Sequence, residues 1–279
     1  PSRLLMRRKN RRRRLCFHIE IEYKKVESDA TGGDDGSMFD NRVAIEFDKV
    51  SFEIGEGKKL LVDLNLTIDR GETVVLLGRS GSGKTTTMKM INRLLEPTSG
   101  EVRVEGISTG AWDPIILRRR IGYVIQEIGL FRHLTIEENI GLVPRLESWP
   151  AHKIRNRARE LLGMVSLEPD RFAARYPAEL SGGQRQRVGV ARALAADPPM
   201  ILLDEPFGAL DPITRREIQQ EFRSLQKQLG KTMVFVTHDV GEAFGLATRI
   251  GLLKDGEMIV LGPPAELLAS NHPEARAFV

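Results

Sequence analysis

Residues 73–85 read Thr-Val-Val-Leu-Leu-Gly-Arg-Ser-Gly-Ser-Gly-Lys-Thr, and this stretch decides the fold class. Thr73–Leu77 is a short apolar run rich in β-branched residues, the pattern of a buried strand. Gly78–Thr85 then fits G-x-x-x-x-G-K-[ST], and a helix is predicted over Lys84–Leu95, ending before Pro97. The small residues Gly78, Ser80, Gly81, Ser82 and Gly83 let backbone N–H groups turn inward around phosphate oxygens. The N-terminus of the helix adds its positive end. Lys84 is placed to reach the β- and γ-phosphates of a bound nucleotide, and the Thr85 hydroxyl to hold Mg²⁺. Arg79 and Thr86 complete the binding segment. A Gly/Ser-rich loop without a ligand is the alternative, and the flanking strand and helix argue against it.

The same alternation recurs along the chain. Ile121–Ile125, Met200–Leu203 and Thr232–Val236 are short apolar runs, each followed by polar residues and then by helical sequence. The expected fold is therefore α/β with a mainly parallel core sheet. Val43–Val50 and Leu60–Ile68 alternate apolar and polar residues and are expected to pair as an N-terminal antiparallel part. Residues 127–196 contain no strand of this kind and read as an inserted helical lobe, with helices over Ala151–Val165 and Gln184–Ala196. Ile250–Leu261 is expected to hold two short strands around the turn Lys254-Asp255-Gly256, with a last helix after Pro263-Pro264.

In open α/β sheets ligands bind at the carboxyl ends of the strands. Here the strand after Ile121 ends in Gln126, the next in Asp204-Glu205 and the last in Thr237-His238-Asp239. Asp204 is expected to hold Mg²⁺ through water and Glu205 to be the general base that polarises the attacking water. Gln126 would touch the metal or that water, and His238 the γ-phosphate. Taken singly, Gln126 reads first as a surface amide and His238 as a strand-end histidine without function. Asp239 has a structural alternative as the cap of the next helix, in a box with Glu242.

The 279 residues carry 42 Lys/Arg against 38 Asp/Glu, yet residues 1–40 alone carry ten against seven. The body is thus nearly neutral, which speaks against nucleic acid as a partner. Residues 1–40 read as a disordered basic tail and linker, with 1–37 an upstream extension before Met38, and residues 41–279 as the folded domain. No run approaches the roughly 20 apolar residues of a membrane span, and no signal peptide is visible. The single cysteine, Cys16, excludes an internal disulfide and suits a reducing compartment.

Leu180-Ser181-Gly182-Gly183-Gln184 opens a further helix, and Ser181 with Gln184 spells a capping box. The order of phosphate loop, Gln126, this LSGGQ segment, Asp204-Glu205 and His238 resembles the P-loop ATP-binding subunits of ABC transporters over residues 41–279. The resemblance implies ATP with Mg²⁺ as ligands and a head-to-tail homodimer, or a pair of like subunits. Ser181, Gly183 and Gln184 would then contact the γ-phosphate of ATP held by the second copy, and Gly208-Ala209-Leu210-Asp211 would communicate across the interface. Asp211 also reads as an N-cap before Pro212. Where the family has an aromatic residue against adenine, this chain has Ile54, so either Phe52 substitutes for it or the base packs on aliphatic carbon.

The segments Ile121–Gln126, Ile128–Phe131, Thr135-Ile136 and Asp204–Arg215 are similar to osmoprotectant uptake systems for glycine betaine, choline or proline. Other solutes, or a soluble ATPase outside transport, are the alternatives. The resemblance implies integral membrane permease subunits, a periplasmic or extracellular solute-binding protein, and a peripheral position on the cytoplasmic face of the inner membrane. Leu130 and Phe131 are the candidates for contact with the permease, with packing inside the helical lobe as the alternative. Many such subunits carry a C-terminal pair of CBS domains, which are not expected within the residues up to Val279.

Overall fold

The computed structural model of the chain describes residues 42–55, 57–126, 129–208 and 210–279. The segment expected as a tail, residues 1–40 with Cys16 and Met38, lies outside the described residues, as do Ile128 and Ala209. From the N-terminal side the elements are β1 (Val43–Ile54), β2 (Lys58–Asp69), β3 (Thr73–Leu77), α1 (Lys84–Ile91), β4 (Ser99–Val104), β5 (Ile107–Ser108), α2 (Pro114–Arg119) and β6 (Ile121–Val124). The helices α3 (Ile136–Ile140), α4 (Leu142–Leu146), α5 (Ala151–Met164), α6 (Pro169–Phe172) and α7 (Gly182–Leu194) follow without an intervening strand among the described residues. The rest comprises β7 (Met200–Asp204), α8 (Pro212–Leu229), β8 (Thr232–Thr237), α9 (Val240–Leu246), β9 (Arg249–Lys254), β10 (Glu257–Gly262), α10 (Pro264–Ala269) and α11 (Pro273–Phe278).

Two sheets result. The antiparallel one has the order β2-β1-β4-β5, and the larger one β10-β9-β3-β8-β7-β6. In the larger sheet every pairing is parallel except that of β10 with β9. Strands β3, β7 and β8 are buried along their whole length, as strands covered on both faces are. Their side chains alternate between two cores. Val75, Leu77, Ile201, Leu203, Met233 and Phe235 face the helical side, with Ala191, Phe207 and Phe222. Val74, Leu76, Met200, Leu202, Val234 and Val236 face Ile45, Phe47 and Leu66 of the antiparallel sheet and Met88 of α1.

Three expectations need correction. The helix after the phosphate loop stops at Ile91, short of Leu95. Arg93 takes a left-handed φ of 52°, and the N–H groups of Leu94 and Leu95 both return to the Lys89 carbonyl. Strand β6 ends at Val124, one residue early, leaving Ile125 partly exposed. The antiparallel sheet has two further strands, β4 and β5, which the alternation did not announce. The turn at Asp255-Gly256 is as expected, with both residues at positive φ (50° and 86°), the form that suits a two-residue hairpin.

Phe207, Phe222 and Phe235 form an aromatic cluster behind the Asp204–Glu205 strand end, with ring centroids 5.2–6.5 Å apart. Phe207 is fully buried two residues after Glu205, so it anchors the loop that carries the carboxylate. Phe207→Ala should lower the unfolding free energy by about 3–5 kcal/mol in a denaturant titration.

Candidate functional site

Strands β3, β8, β7 and β6 run in parallel with the register Leu77↔Thr237, Asp204↔Val236 and Val124↔Leu203. Their carboxyl ends therefore lie side by side, and the residues that follow them meet at one edge.

The phosphate loop leaves β3 at Gly78, whose φ is 154°. A Cβ there would sit 2.3 Å from the Leu253 carbonyl oxygen, so β9 passes too close for any side chain. Gly83 has φ 105°, and its Cβ would lie 2.7 Å from Leu61 Cδ2 and 3.0 Å from the Leu60 oxygen. The hairpin turn between β9 and β10 braces the loop as well, since the Gly256 N–H donates to the Ser82 carbonyl at 3.2 Å. The sequence held no sign of this seat, because it depends on packing between distant segments. Lys84 is buried, and its Nζ donates to the carbonyls of Gly78 and Arg79, each at 2.7 Å. An ammonium has three donors, so one remains for a ligand. Burial pulls the Lys84 pKa down, while Glu205 and Asp204 act against that shift. Thr85 and Thr86 are half-buried in the first turn of α1.

Asp204, the last residue of β7, is 5 % exposed. It accepts a hydrogen bond from Thr85 Oγ1 at 3.0 Å. Burial raises its pKa, the Thr85 bond opposes this, and the neighbouring Glu205 raises it further. A hydroxyl and a carboxylate side by side are the hard oxygen donors that suit Mg²⁺, which takes one or two protein ligands and completes its shell with phosphate and water. Among the described residues no cluster of three His, Cys, Asp or Glu side chains forms a separate metal cage. Tyr123 also belongs to this corner. Opposite Leu202 in the register, it shares a face with Asp204, and the Asp204 carboxylate acts on its phenol. Burial, with Asp204 beside it, pushes the Tyr123 pKa up to about 12. Sequence reasoning missed Tyr123, and only the strand register could have revealed it.

Glu205 is the centre of the edge. Its backbone N–H continues the ladder to the Val236 carbonyl at 2.9 Å, yet its φ is 45°. A non-glycine residue held there costs on the order of 1–3 kcal/mol, and such strain collects at functional sites. Its two carboxylate oxygens face different neighbours. Gln126 Nε2 donates to Oε2 at 3.3 Å, and His238 Nδ1 lies 3.4 Å from Oε1. Three residues from three strand ends thus meet on one carboxylate. A cavity of about 580 Å³ opens here, lined by Arg79, Ser80, Gln126, Glu205, His238 and, from α11, Ala277 and Phe278. Glu274 of α11 pairs with Arg79 Nε at 2.6 Å, so the last helix forms one wall. Nothing in the sequence marked that helix.

The remaining candidates lie elsewhere. Ser181 and Gln184 form the expected capping box on α7, with bonds of 3.0 and 3.3 Å. Gly183 has a packing reason, since its Cβ would lie 2.9 Å from Thr214 and 3.0 Å from Ile218 of α8. Ile54 is 51 % exposed at the end of β1. None of these four lines the cavity. Asp211 caps α8 by accepting from the N–H groups of Ile213 and Thr214. Asp239 caps α9 by accepting from Glu242 N, but the expected box with Glu242 is only half made. The Glu242 carboxylate turns into the interior instead.

Residues 61–208 match the family described as ABC transporter. The chain is 56 % identical over 224 residues to the glycine betaine/carnitine/choline transport ATP-binding protein OpuCA of Bacillus subtilis (strain 168), covering 80 % of this chain and 59 % of that one. It is 50 % identical to the glycine betaine uptake system ATP-binding protein YehX of Escherichia coli (strain K12), over 80 % of this chain and 72 % of that one. The chain spans about three-fifths of the length of OpuCA and of the choline transport ATP-binding protein OpuBA of Bacillus subtilis (strain 168). Among solved structures, the dimeric post-hydrolysis state of the ATP-binding cassette MJ0796 bound to ADP and Pi superposes with a TM-score of 0.70 at 41 % identity, over 79 % of this chain and 98 % of that one. Likeness of this extent, on a chain whose phosphate loop and strand ends are built as above, makes it a member of the ABC transporter ATP-binding family.

Proposed function

We propose that this chain is the ATP-hydrolysing subunit of an importer for osmoprotectants such as glycine betaine, choline or proline. The convergence of Gln126 and His238 on Glu205, beside the Lys84 loop, carries the hydrolytic part of the reading. The solutes for which OpuCA and YehX are named support the solute class.

In this reading the inward N–H groups of Gly78–Thr86 and the Lys84 ammonium hold the phosphates of ATP. Thr85 and Asp204, with Gln126, would hold Mg²⁺. The ion would supply charge neutralisation for the phosphoryl group. Glu205 orients the attacking water and accepts its proton. His238 sits against the other carboxylate oxygen and contacts the γ-phosphate. Phosphoryl transfer demands position and charge compensation more than covalent chemistry, and this constellation offers both. Ile54 would pack on adenine through aliphatic carbon. Ser181, Gly183 and Gln184 lie off this cavity, in keeping with a head-to-tail pair in which each copy offers them to ATP on the other. Cycles of closure and reopening of that pair would drive permease subunits, supplied by a solute-binding protein, from the cytoplasmic face of the membrane. No described helix is long and apolar enough to cross a bilayer. Leu130 packs against the core, whereas Phe131 is 48 % exposed beside the Gln126 segment. This exposure supports Phe131 as the permease contact, while Leu130 serves packing.

Three measurements test this. Glu205→Gln should bind ATP and accumulate as a dimer in size-exclusion runs with ATP, with phosphate release slowed by about 10²–10⁴-fold. Turnover at the unaltered rate would remove Glu205 as the base. Gly78→Ala meets a backbone oxygen that no rotamer change relieves, at about 1–3 kcal/mol, so ATP affinity should fall at least about tenfold in a titration. Gly81→Ala, with open space around the new Cβ, should lose less. In vesicles bearing the assembled transporter, Phe131→Ala should abolish solute uptake while ATPase activity of the free subunit persists. Equal loss of both would count against docking through Phe131.

A further inference from the structure

We propose that Glu242 is a positioning residue for hydrolysis, whose buried carboxylate ties the His238-bearing strand end to α8 and so fixes His238 against Glu205. The inference rests on the roles given above to Glu205 and His238.

His238 directly follows Thr237, the buried last residue of β8. The Thr237 hydroxyl accepts from the Asp239 N–H at 3.0 Å and donates to Glu242 Oε2 at 2.6 Å. One hydroxyl therefore pins the backbone on both sides of the histidine, and Glu242 holds that hydroxyl. The other oxygen, Oε1, accepts from Gln219 Nε2 of α8 at 3.1 Å. Glu242 is only 4 % exposed. Burial raises its pKa, the Thr237 bond opposes this, Asp239 adds to the rise, and Arg215 and Gln219 lower it. A carboxylate removed from water is unfavourable for stability unless its oxygens are satisfied. Here both are, by donors from two different elements. A carboxylate accepts both bonds as they stand, whereas an amide accepts only one and would turn the other partner's bond around.

Helix α8 carries the tie further. Arg215 lies one turn before Gln219, on the same face of the helix. Its Nη1 is 3.6 Å from Asp239 Oδ2, and its Nη2 donates to the carbonyls of Gly208 and Leu210 at 3.4 and 3.2 Å. One face of α8 thus grips the loop after His238 and the loop after Glu205. The 3.4 Å approach of those two side chains depends on both grips.

The test compares steady-state ATPase activity and ATP affinity in the full chain. Glu242→Gln keeps the volume but sets an amide N–H₂ against either Thr237 or Gln219. Misplacing a reacting group by about 1 Å costs up to about 10²-fold, so kcat should fall about 10–100-fold with ATP affinity nearly unchanged. Adding Gln219→Glu restores the pairing with reversed polarity and should recover most of the lost rate. Thr237→Val, which removes the hydroxyl and leaves the Glu242–Gln219 bond, should lower kcat alone and keeps the idea testable if Glu242→Gln fails to fold. Normal kcat in Glu242→Gln or Thr237→Val would overturn the proposal. So would a joint loss of kcat, ATP affinity and thermal midpoint that the swap does not recover. If the unaltered chain turned over ATP and Glu205→Gln did not, such a result would sink the Glu242 inference alone. No turnover in the unaltered chain would sink the functional reading and this inference together.

Discussion

The parallel register of β3, β8, β7 and β6 is the constraint on which the site depends. Leu77 faces Thr237, Val236 faces Asp204, and Leu203 faces Val124. With the strands aligned to within a residue, the first residues beyond them emerge on one edge and cannot avoid each other. The alternation of side chains then assigns roles by parity. Asp204 and Tyr123 lie on the face of Met200 and Leu202, where α1 brings Thr85. Glu205 takes one more ladder bond, to Val236, and then turns away with a left-handed φ. Two residues on, Phe207 is locked into the aromatic cluster, which resists relaxation of that turn.

The charges are arranged so that each makes its neighbour tolerable. Asp204 and Glu205 are adjacent carboxylates, and burial drives the Asp204 pKa up before Glu205 adds to it. Lys84 is buried among them, and its own pKa is driven down by burial against their attraction. Coulombic energy grows as the effective dielectric falls, so a triphosphate entering this corner interacts far more strongly than it would in water. The lysine is already aimed by two loop carbonyls, so little rearrangement is required when it meets a phosphate oxygen.

What the sequence made legible was whatever local geometry dictates. The Gly78–Thr85 loop, the strand ends at Gln126, Glu205 and His238, the Ser181–Gln184 box and the Asp255-Gly256 turn each follow from a few consecutive residues. What stayed hidden was set by contacts between distant segments. The Ile91 end of α1 depends on Arg93 turning left-handed. Tyr123 comes to the side of Asp204 only through the β6–β7 register. Glu242 matched a capping pattern by spacing, yet the buried Thr237 hydroxyl and the Gln219 amide won its carboxylate. Glu274 reaches Arg79 across 195 positions of chain.

Helix α8 shows how distant parts of the site share one support. Thr214 and Ile218 approach α7 so closely that a Cβ on Gly183 would have to displace them. Arg215 and Gln219 hold the loops after Glu205 and His238. Phe222 lies in the aromatic cluster beneath both. Residues 214, 215, 218, 219 and 222 follow the helical repeat along one side, so a single face makes all these contacts. A displacement of α7 must therefore either break the Gly183 contact or carry α8 with it. Because α8 grips both loops, the second course moves the carboxylate and the histidine together.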